Sequence, residues 1–444
     1  MSIALRDISK NYRGRTVLNN LNLTVCQGEF QVLLGPSGSG KTTILSLIAG
    51  LVRQDEGTVF INDREVSGVP PEKRRIGFVF QDYALFPHLT VFGNAAYGLK
   101  ARGVKWSTIN RTVNHYLHRM GIASEKDKFP HQLSGGQRQR VALIRALVTE
   151  PDILLMDEPM SSLDAPARER IGDELRNIQH TMQLTTLYVT HNQSEATLLG
   201  DRVSVLNHGR IEQIGTADEI FHHPRTEFVS RFVGAKNIFK TEVIEIREHE
   251  AILKVNNEEL HQPFQLSAAR YPIFEKVKEI LLCLHPEKIR IKNEQQAIAM
   301  TMPRTRAGAD SSPPMNMIAG KIIHSIPGLM SVRVTIDLGG MELYAIIPEV
   351  SFHFRPSERV WVCFTPDALH PLCGKSCKDP MSQRKCFNHE RTINAGTISK
   401  ISINPGIINA GIINAGATNE GAITHERYNR HHLEGRRAVG SRLF

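Results

Sequence analysis

Apolar residues change their spacing partway along the chain, and that change divides it. Leu21, Leu23 and Val25 alternate with polar neighbours as in a half-buried strand, Gln27-Gly28-Glu29 supplies a turn, and Phe30-Gln-Val-Leu-Leu34 reads as a short strand buried on both faces. Further strands are predicted at Ile76 to Phe80, Ile153 to Met156, Thr186 to Thr190 and Arg202 to Leu206, with helical stretches between them. This is the pattern of a mostly parallel sheet covered by helices. Near Phe232-Val-Gly-Ala235 the helical period fades and short Val/Ile-rich strands take over, so an α/β domain over 1 to 235 is expected to give way to an all-β domain.

The β half carries an internal duplication. Asn237-Ile-Phe-Lys opens a segment that closes at Cys283-Leu-His-Pro286, and Asn316-Met-Ile-Ala opens one that closes at Cys363-Phe-Thr-Pro366, so the Asn-to-Pro separations are 49 and 50 residues. Two small β units over 236 to 372 are predicted, joined by a flexible linker at 292 to 315. Beyond them Asn404, Asn409, Asn414 and Asn419 recur every five residues, as do Gly406, Gly411, Gly416 and Gly421, with few large side chains. Four such repeats cannot build a core, so 373 to 444 is read as a disordered tail.

Composition narrows the possibilities. No stretch approaches the roughly 18 apolar residues that a membrane-spanning helix needs, and the charges in Met1-Ser-Ile-Ala-Leu-Arg-Asp fall where a signal peptide would have its apolar core. The expectation is a cytoplasmic polypeptide whose membrane role comes through a partner. Six cysteines suit a reducing compartment. The net charge of +9 suggests nucleic acid, but residues 371 to 444 hold 11 Lys/Arg against 5 Asp/Glu, so most of the surplus sits in the tail and the reading is against nucleic acid. His370, Cys373, Cys377, Cys386 and His389 could in principle hold Zn²⁺; the C-x₃-C spacing is uncommon for zinc, and the reading sides against a metal there.

Candidate chemistry follows the strands of the first half. Gly35-Pro36-Ser37-Gly38-Ser39-Gly40-Lys41-Thr42 matches the phosphate-loop pattern: its glycines let backbone amides face a phosphate, Lys41 adds a full charge, Thr42 offers a hydroxyl to Mg²⁺, and Thr43 can reach another phosphate oxygen. Asp157 and Glu158 end a buried strand, the first placed to hold hydrated Mg²⁺ and the second to deprotonate an attacking water. Ser134, Gly135, Gly136 and Gln137 open a helix and form a second anion site. The phosphate loop, Gln81, Asp157-Glu158 and His191 each follow a strand directly, and because ligands bind beyond the carboxyl ends of such strands, one crevice can collect these four.

The ordered set of phosphate loop, Gln81, Leu133-Ser-Gly-Gly-Gln137, Ile153 to Pro159 and His191 resembles the nucleotide-binding subunit of an ATP-binding cassette importer, over about residues 1 to 235. The two β units resemble the paired OB-like barrels (TOBE domains) appended to importer ATPases. The resemblance implies a P-loop cassette with a helical subdomain, ATP and Mg²⁺, and a homodimer in which Ser134 to Gln137 closes on nucleotide held by the other protomer. It also implies two integral-membrane permease subunits, a solute-binding protein outside, and residence at the cytoplasmic membrane face. Under it Gln81 reaches metal and water, His191 contacts the γ-phosphate, Tyr12 stacks on adenine, Asp164 belongs to the segment after the two acids, and Phe86-Pro-His-Leu89 receives the permease. Asn192 stands where relatives mostly have Asp. The second β unit, with Val332-Arg-Val-Thr-Ile-Asp-Leu-Gly-Gly340, looks like the oxyanion modules of molybdate-type ATPases, so molybdate, tungstate or sulfate is the expected solute; ferric ion, polyamines, quaternary amines and sugars are alternatives. A soluble cassette ATPase would show two cassettes or a coiled-coil insertion, and a non-hydrolysing regulator would not need Lys41, Asp157, Glu158 and His191 together.

Overall fold

In the computed structural model, residues 2–161, 163–256, 260–301, 315–351 and 354–372 are described, all within one compact unit. The tail, with Cys373, Cys377, Cys386 and His389, lies outside the described residues.

Two sheets sandwich the helix Lys41–Ala49. The first is antiparallel, in the order Arg15–Val25, Ile3–Tyr12, Glu56–Ile61, Arg64–Glu65. The second runs Arg210–Gly215, Arg202–Asn207, Phe30–Leu34, Thr185–Thr190, Ile153–Asp157, Ile76–Val79, and is parallel throughout except for its first, edge strand. Its central strands read as continuous apolar runs because each face meets a different core. Leu33, Ile153, Leu155, Leu187 and Val189 pack toward the Lys41–Ala49 helix, whereas Phe30, Val32, Leu34, Leu154, Met156 and Tyr188 pack toward the helices Val91–Ala101, Gly135–Leu147 and Ala165–Met182. The α/β cassette architecture is therefore present, with its parallel strands opening toward one crevice.

The second half forms two five-stranded antiparallel sheets over one shared core. Each unit gives its last strand to the other. Arg290–Lys292, which follows the first unit, pairs with Arg359–Phe364 of the second, and Leu369–Leu372, which follows the second, pairs with Glu279–Leu284 of the first. The repeated asparagines mark the crossing points. Asn237 donates to the carbonyls of Leu284 (3.1 Å) and Tyr344 (2.8 Å) while its Oδ1 accepts the Tyr344 N–H (2.7 Å). Asn316 accepts the Ser267 N–H and donates to the Ser267 carbonyl, both at 2.8 Å.

The stretch predicted as a linker begins differently. Lys292 ends a strand, and Glu294–Thr301 is a helix whose first turn is closed by Asn293, which accepts the Gln296 N–H at 2.9 Å, while Ala297 is buried. Good helix formers behind an Asn cap outweighed the polar composition on which the linker reading rested. The remainder, 302–314, lies outside the described residues.

Four histidines meet where the two halves of the unit join. His222 and His223, from the cassette, face His285 and His370 across a cavity of about 510 Å³ also lined by Asp218, Glu287, Lys288, Arg290 and Asp367. Ring centroids lie 6.1 Å apart for His222 and His285 and 5.2 Å for His223 and His370. Burial, reinforced by His222, His223 and Lys288, lowers His285 to about 4; burial, reinforced by His223, Arg225 and His285, lowers His370 to about 3.

Two outcomes follow. Asn237→Ala leaves a buried N–H and two carbonyls without their partner and should lower unfolding stability by about 1–3 kcal/mol, measured by denaturant titration. Because the folded histidine pKa values lie below the roughly 6.5 of exposed imidazole, unfolding takes up protons. Stability contributed here is complete above about pH 6.5 and is lost as pH falls toward 4 and then 3. The thermal midpoint should therefore drop between pH 7.5 and 5, and His285→Gln should flatten the profile; equal midpoints at both pH values would contradict it.

Candidate nucleotide site

The phosphate loop joins the buried strand Phe30–Leu34 to the helix Lys41–Ala49. Gly40 takes φ of 108°, and a methyl group there would also lie 2.8 Å from Leu18. A methyl on Gly35 would fall 2.4 Å from the Leu206 carbonyl oxygen. Close approach thus excludes larger residues at both positions, and positive φ adds to it at Gly40. Lys41 is buried, its Nζ donating to the carbonyls of Gly35 (2.9 Å) and Pro36 (3.0 Å) and standing 3.9 Å from Glu158. Burial lowers its pKa; Glu158 and Asp157 oppose that shift.

Asp157 ends the strand Ile153–Asp157 and is buried. Desolvation raises its pKa, the hydrogen bond with Thr42 lowers it, Glu158 raises it and Lys41 lowers it. Thr42 hydroxyl and Asp157 carboxylate are therefore adjacent hard-oxygen donors, a pairing that fits Mg²⁺. Glu158 adopts φ of 43°, uncommon outside glycine, with its N–H bonded to the Val189 carbonyl at 3.0 Å. The turn aims its carboxylate at His191, whose Nδ1 lies 2.9 Å from Oε2.

A cavity of about 650 Å³ collects Tyr12, Ser37, Gly38, Gly40, Lys41, Thr42, Thr43, Gln81 and Glu158. Arg15, Thr16, Val17 and His208 complete the lining, and none of these four carried a motif from which it could be read. Tyr12 is 43% exposed, with the Lys10 ammonium 5.3 Å from its ring centre.

Of the expected residues, Gly35, Pro36, Ser39 and Asp157 adjoin that lining in sequence, and His191 adjoins it through Glu158, without belonging to it; two further groups, at Ser134 and Asp164, stand apart. Ser134 caps the helix Gly135–Leu147, accepting the Gln137 N–H at 3.3 Å while Gln137 Oε1 accepts the Ser134 N–H at 2.9 Å. A methyl on Gly135 or Gly136 would meet no atom nearer than 3.6 Å, so intrachain crowding does not demand glycine there. Asp164 caps Ala165–Met182 through the Ala167 N–H at 2.9 Å. Asn192 likewise caps Gln193–Leu199, a task Asn and Asp perform equally well, which accounts for tolerance of Asn here.

Sequence reading missed the supports of the Gln81 segment. Arg145 donates to the carbonyls of Tyr83 (2.7 Å) and Ala84 (2.6 Å), tying that segment to the helix Ser134 caps. Fully buried Asn94 accepts the Phe86 N–H and donates to the carbonyls of Phe86, Leu89 and Thr90, which fixes the turn containing Phe86 to Leu89. Beside it Phe86 and Tyr97 rings lie 4.4 Å apart, Tyr97 being 47% exposed.

A strand-loop-helix with buried lysine, adjacent acids at the end of the strand two places along the sheet and a histidine just past the strand between them defines a P-loop nucleoside triphosphatase of the cassette type. The family described as "ABC transporter" matches residues 18–161. A spermidine/putrescine import ATP-binding protein of Thermotoga maritima is 40% identical over 293 residues, covering 66% of this chain and 78% of the relative. A sulfate/thiosulfate import ATP-binding protein of Vibrio vulnificus is 49% identical over 241 residues, 53% of this chain and 70% of the relative. Among solved structures, a dimeric ATP-binding cassette in a post-hydrolysis state with ADP and phosphate matches at 32% identity and TM-score 0.46, over 48% of this chain and 98% of that one. The chain belongs to the ATP-binding subunits of ABC importers, which hydrolyse ATP to drive transport through membrane permeases. Among the described residues no helix is long and apolar enough to cross a membrane.

Lys41→Ala removes the ammonium seated in the loop, and ATP affinity measured by calorimetry should fall by roughly tenfold or more.

Proposed function

We propose that two copies of this chain close face to face, each holding ATP between its own phosphate loop and Ser134, Gly135, Gly136 and Gln137 of the partner subunit, with Asp164 at the seam. The capped helix start and two glycines that answer to no crowding within the chain support this reading. Within each site the amides of Gly35 to Gly40, with Pro36, Ser37 and Ser39 shaping the loop, bind phosphate oxygens, Lys41 and Thr43 neutralise and orient them, and Tyr12 stacks on adenine. Thr42, Asp157 and Gln81 would hold Mg²⁺, which when bound offsets charge on the β- and γ-phosphates. Glu158 accepts the proton of the attacking water, while His191 holds that carboxylate and turns its other ring nitrogen toward the transferred phosphoryl group. The observation carrying the assignment is Glu158 in left-handed backbone, 2.9 Å from His191 and 3.9 Å from Lys41.

The dimer rides on the cytoplasmic face of the membrane, two permease subunits docking on the Phe86 to Leu89 turn and receiving solute from an extracytoplasmic binding protein. The solute is an oxyanion of the sulfate type, supported by the 49% identity to the sulfate/thiosulfate relative. A polyamine is the second reading, favoured by the longer match, 293 residues, to the spermidine/putrescine relative. Proteoliposomes bearing the chain with its permease and binding protein separate them: stimulation of ATP hydrolysis by sulfate and not spermidine supports the first, and the reverse result removes it.

Glu158→Gln keeps the shape and loses the basicity, so turnover should fall by roughly 10²- to 10⁴-fold with ATP affinity nearly intact. Near-normal turnover of the purified variant would refute the general-base assignment.

A further inference from the structure

Glu195 is a deeply buried acid that the proposed chemistry leaves unused, although it lies only four residues past His191. Its carboxylate is 3% exposed, on the helix Gln193–Leu199, and two other elements converge on it. Oε2 accepts the hydroxyls of Tyr188 at 2.9 Å and Thr190 at 2.7 Å, both from the strand that leads into His191. Oε1 pairs with Arg168 Nε at 3.2 Å, from the first turn of Ala165–Met182. A carboxylate this deep is costly to bury, and here two hydroxyl hydrogen bonds and one guanidinium ion pair offset that cost.

Both ends of this cluster lead to segments that carry residues of the proposed chemistry. Thr190, also buried, gives its hydroxyl hydrogen to Glu195 and with the same oxygen accepts the Asn192 N–H at 2.9 Å. The backbone on either side of His191 is thereby fastened to one carboxylate. At the other end Arg168 Nη2 donates to the Leu163 carbonyl at 2.8 Å, and the Arg168 N–H bonds to the Asp164 carbonyl at 2.9 Å. A single path of polar contacts therefore joins the segment after Glu158 to the histidine that holds Glu158.

We propose that Arg168 and Glu195 are positioning residues for ATP hydrolysis, fixing His191 and the Leu163-Asp164 segment in mutual register so that Glu158 is held at the attacking water. This rests on the reading of Glu158 as general base and His191 as its holder. Neither residue touches nucleotide, so their loss slows the chemical step and spares binding. Coupling through the pair also means that a displacement of Asp164 at the subunit seam is felt at His191 of the same chain.

The test compares purified full-length variants for kcat, ATP KM and thermal midpoint. Arg176→Gln is the structural control: Arg176, on the same helix two turns on, pairs with Asp201 and donates to the Leu199 carbonyl at 2.7 Å, away from the crevice. Glu195→Gln and Arg168→Gln should each lower kcat by roughly 10- to 100-fold with KM changed less than about threefold, and the double variant should lose little more than either single one. Arg176→Gln should lower the thermal midpoint and leave kcat unchanged. If Glu195→Gln folds poorly, Thr190→Val and Thr190→Ser ask the same question without touching a charge; the hydroxyl-free variant should lose turnover and the serine variant recover most of it. Normal kcat in Glu195→Gln or Thr190→Val overturns the proposal, as does a kcat loss that Arg176→Gln matches at equal loss of midpoint. Glu158→Gln measured alongside separates the failures: if it is inactive while Glu195→Gln is normal, only the positioning role falls, whereas an active Glu158→Gln removes the general-base reading on which that role stands.

Discussion

Lys41 stands between two carbonyls of its own loop and the carboxylates of Asp157 and Glu158 at the end of the strand Ile153–Asp157, and it stays there because Phe30–Leu34 is clamped on both edges. The strand bonds to Thr185–Thr190 on one side and Arg202–Asn207 on the other, and neither pairing leaves slack in register. Its end delivers the loop against the Leu206 carbonyl, and the Gly209 N–H bonds to the Ser39 carbonyl at 3.0 Å, so the loop is pinned from outside as well. Side chains that alternate between two separate cores cannot shift by one residue without exchanging both cores at once. The precision of the crevice is therefore a packing property of the sheet more than of the glycines that line it.

That rigidity contrasts with the surface of the helical layer. The Gln81 segment carries two residues in left-handed backbone, Tyr83 and Ala84, and Arg145 donates to both of their carbonyls. The same arginine guanidinium lies 5.6 Å from the centre of the Phe86 ring. The segment after Gln81, the Phe86 turn and the helix opened by Ser134 thus share one side chain, so a shift of that helix is felt at half-buried Phe86 and exposed Tyr97.

Much of this was legible in the sequence because it is local. Strands of the parallel sheet declare themselves as apolar runs, and the phosphate loop and paired acids lie at fixed spacing behind them. What escaped is carried by polar residues that satisfy distant backbone: Asn94 and Arg145 have no periodicity, and Arg15 and His208 reach the cavity only through tertiary folding. The strand Glu56–Ile61 and its partner Arg64–Glu65 were missed although Asn62 and Asp63, both at positive φ, form a recognisable two-residue turn between them. The duplicated Asn and Pro positions announced two similar units, but a repeat cannot say which copy a strand will pair with.

That exchange of strands bears on how the polypeptide is made. Glu279–Leu284 is paired on one edge by Asn237–Ile246 and on the other only by Leu369–Leu372, which follows roughly 85 residues later. At ribosomal rates of about 5–20 residues per second, that edge stays open for roughly 4–17 s after its own synthesis. An unpaired edge beside buried Leu282 and Leu284 is a template for pairing with other chains. The emerging chain accordingly passes through a period in which its cassette can be complete while its β half is still adhesive, and crowding on one messenger would place neighbouring nascent chains in that same state.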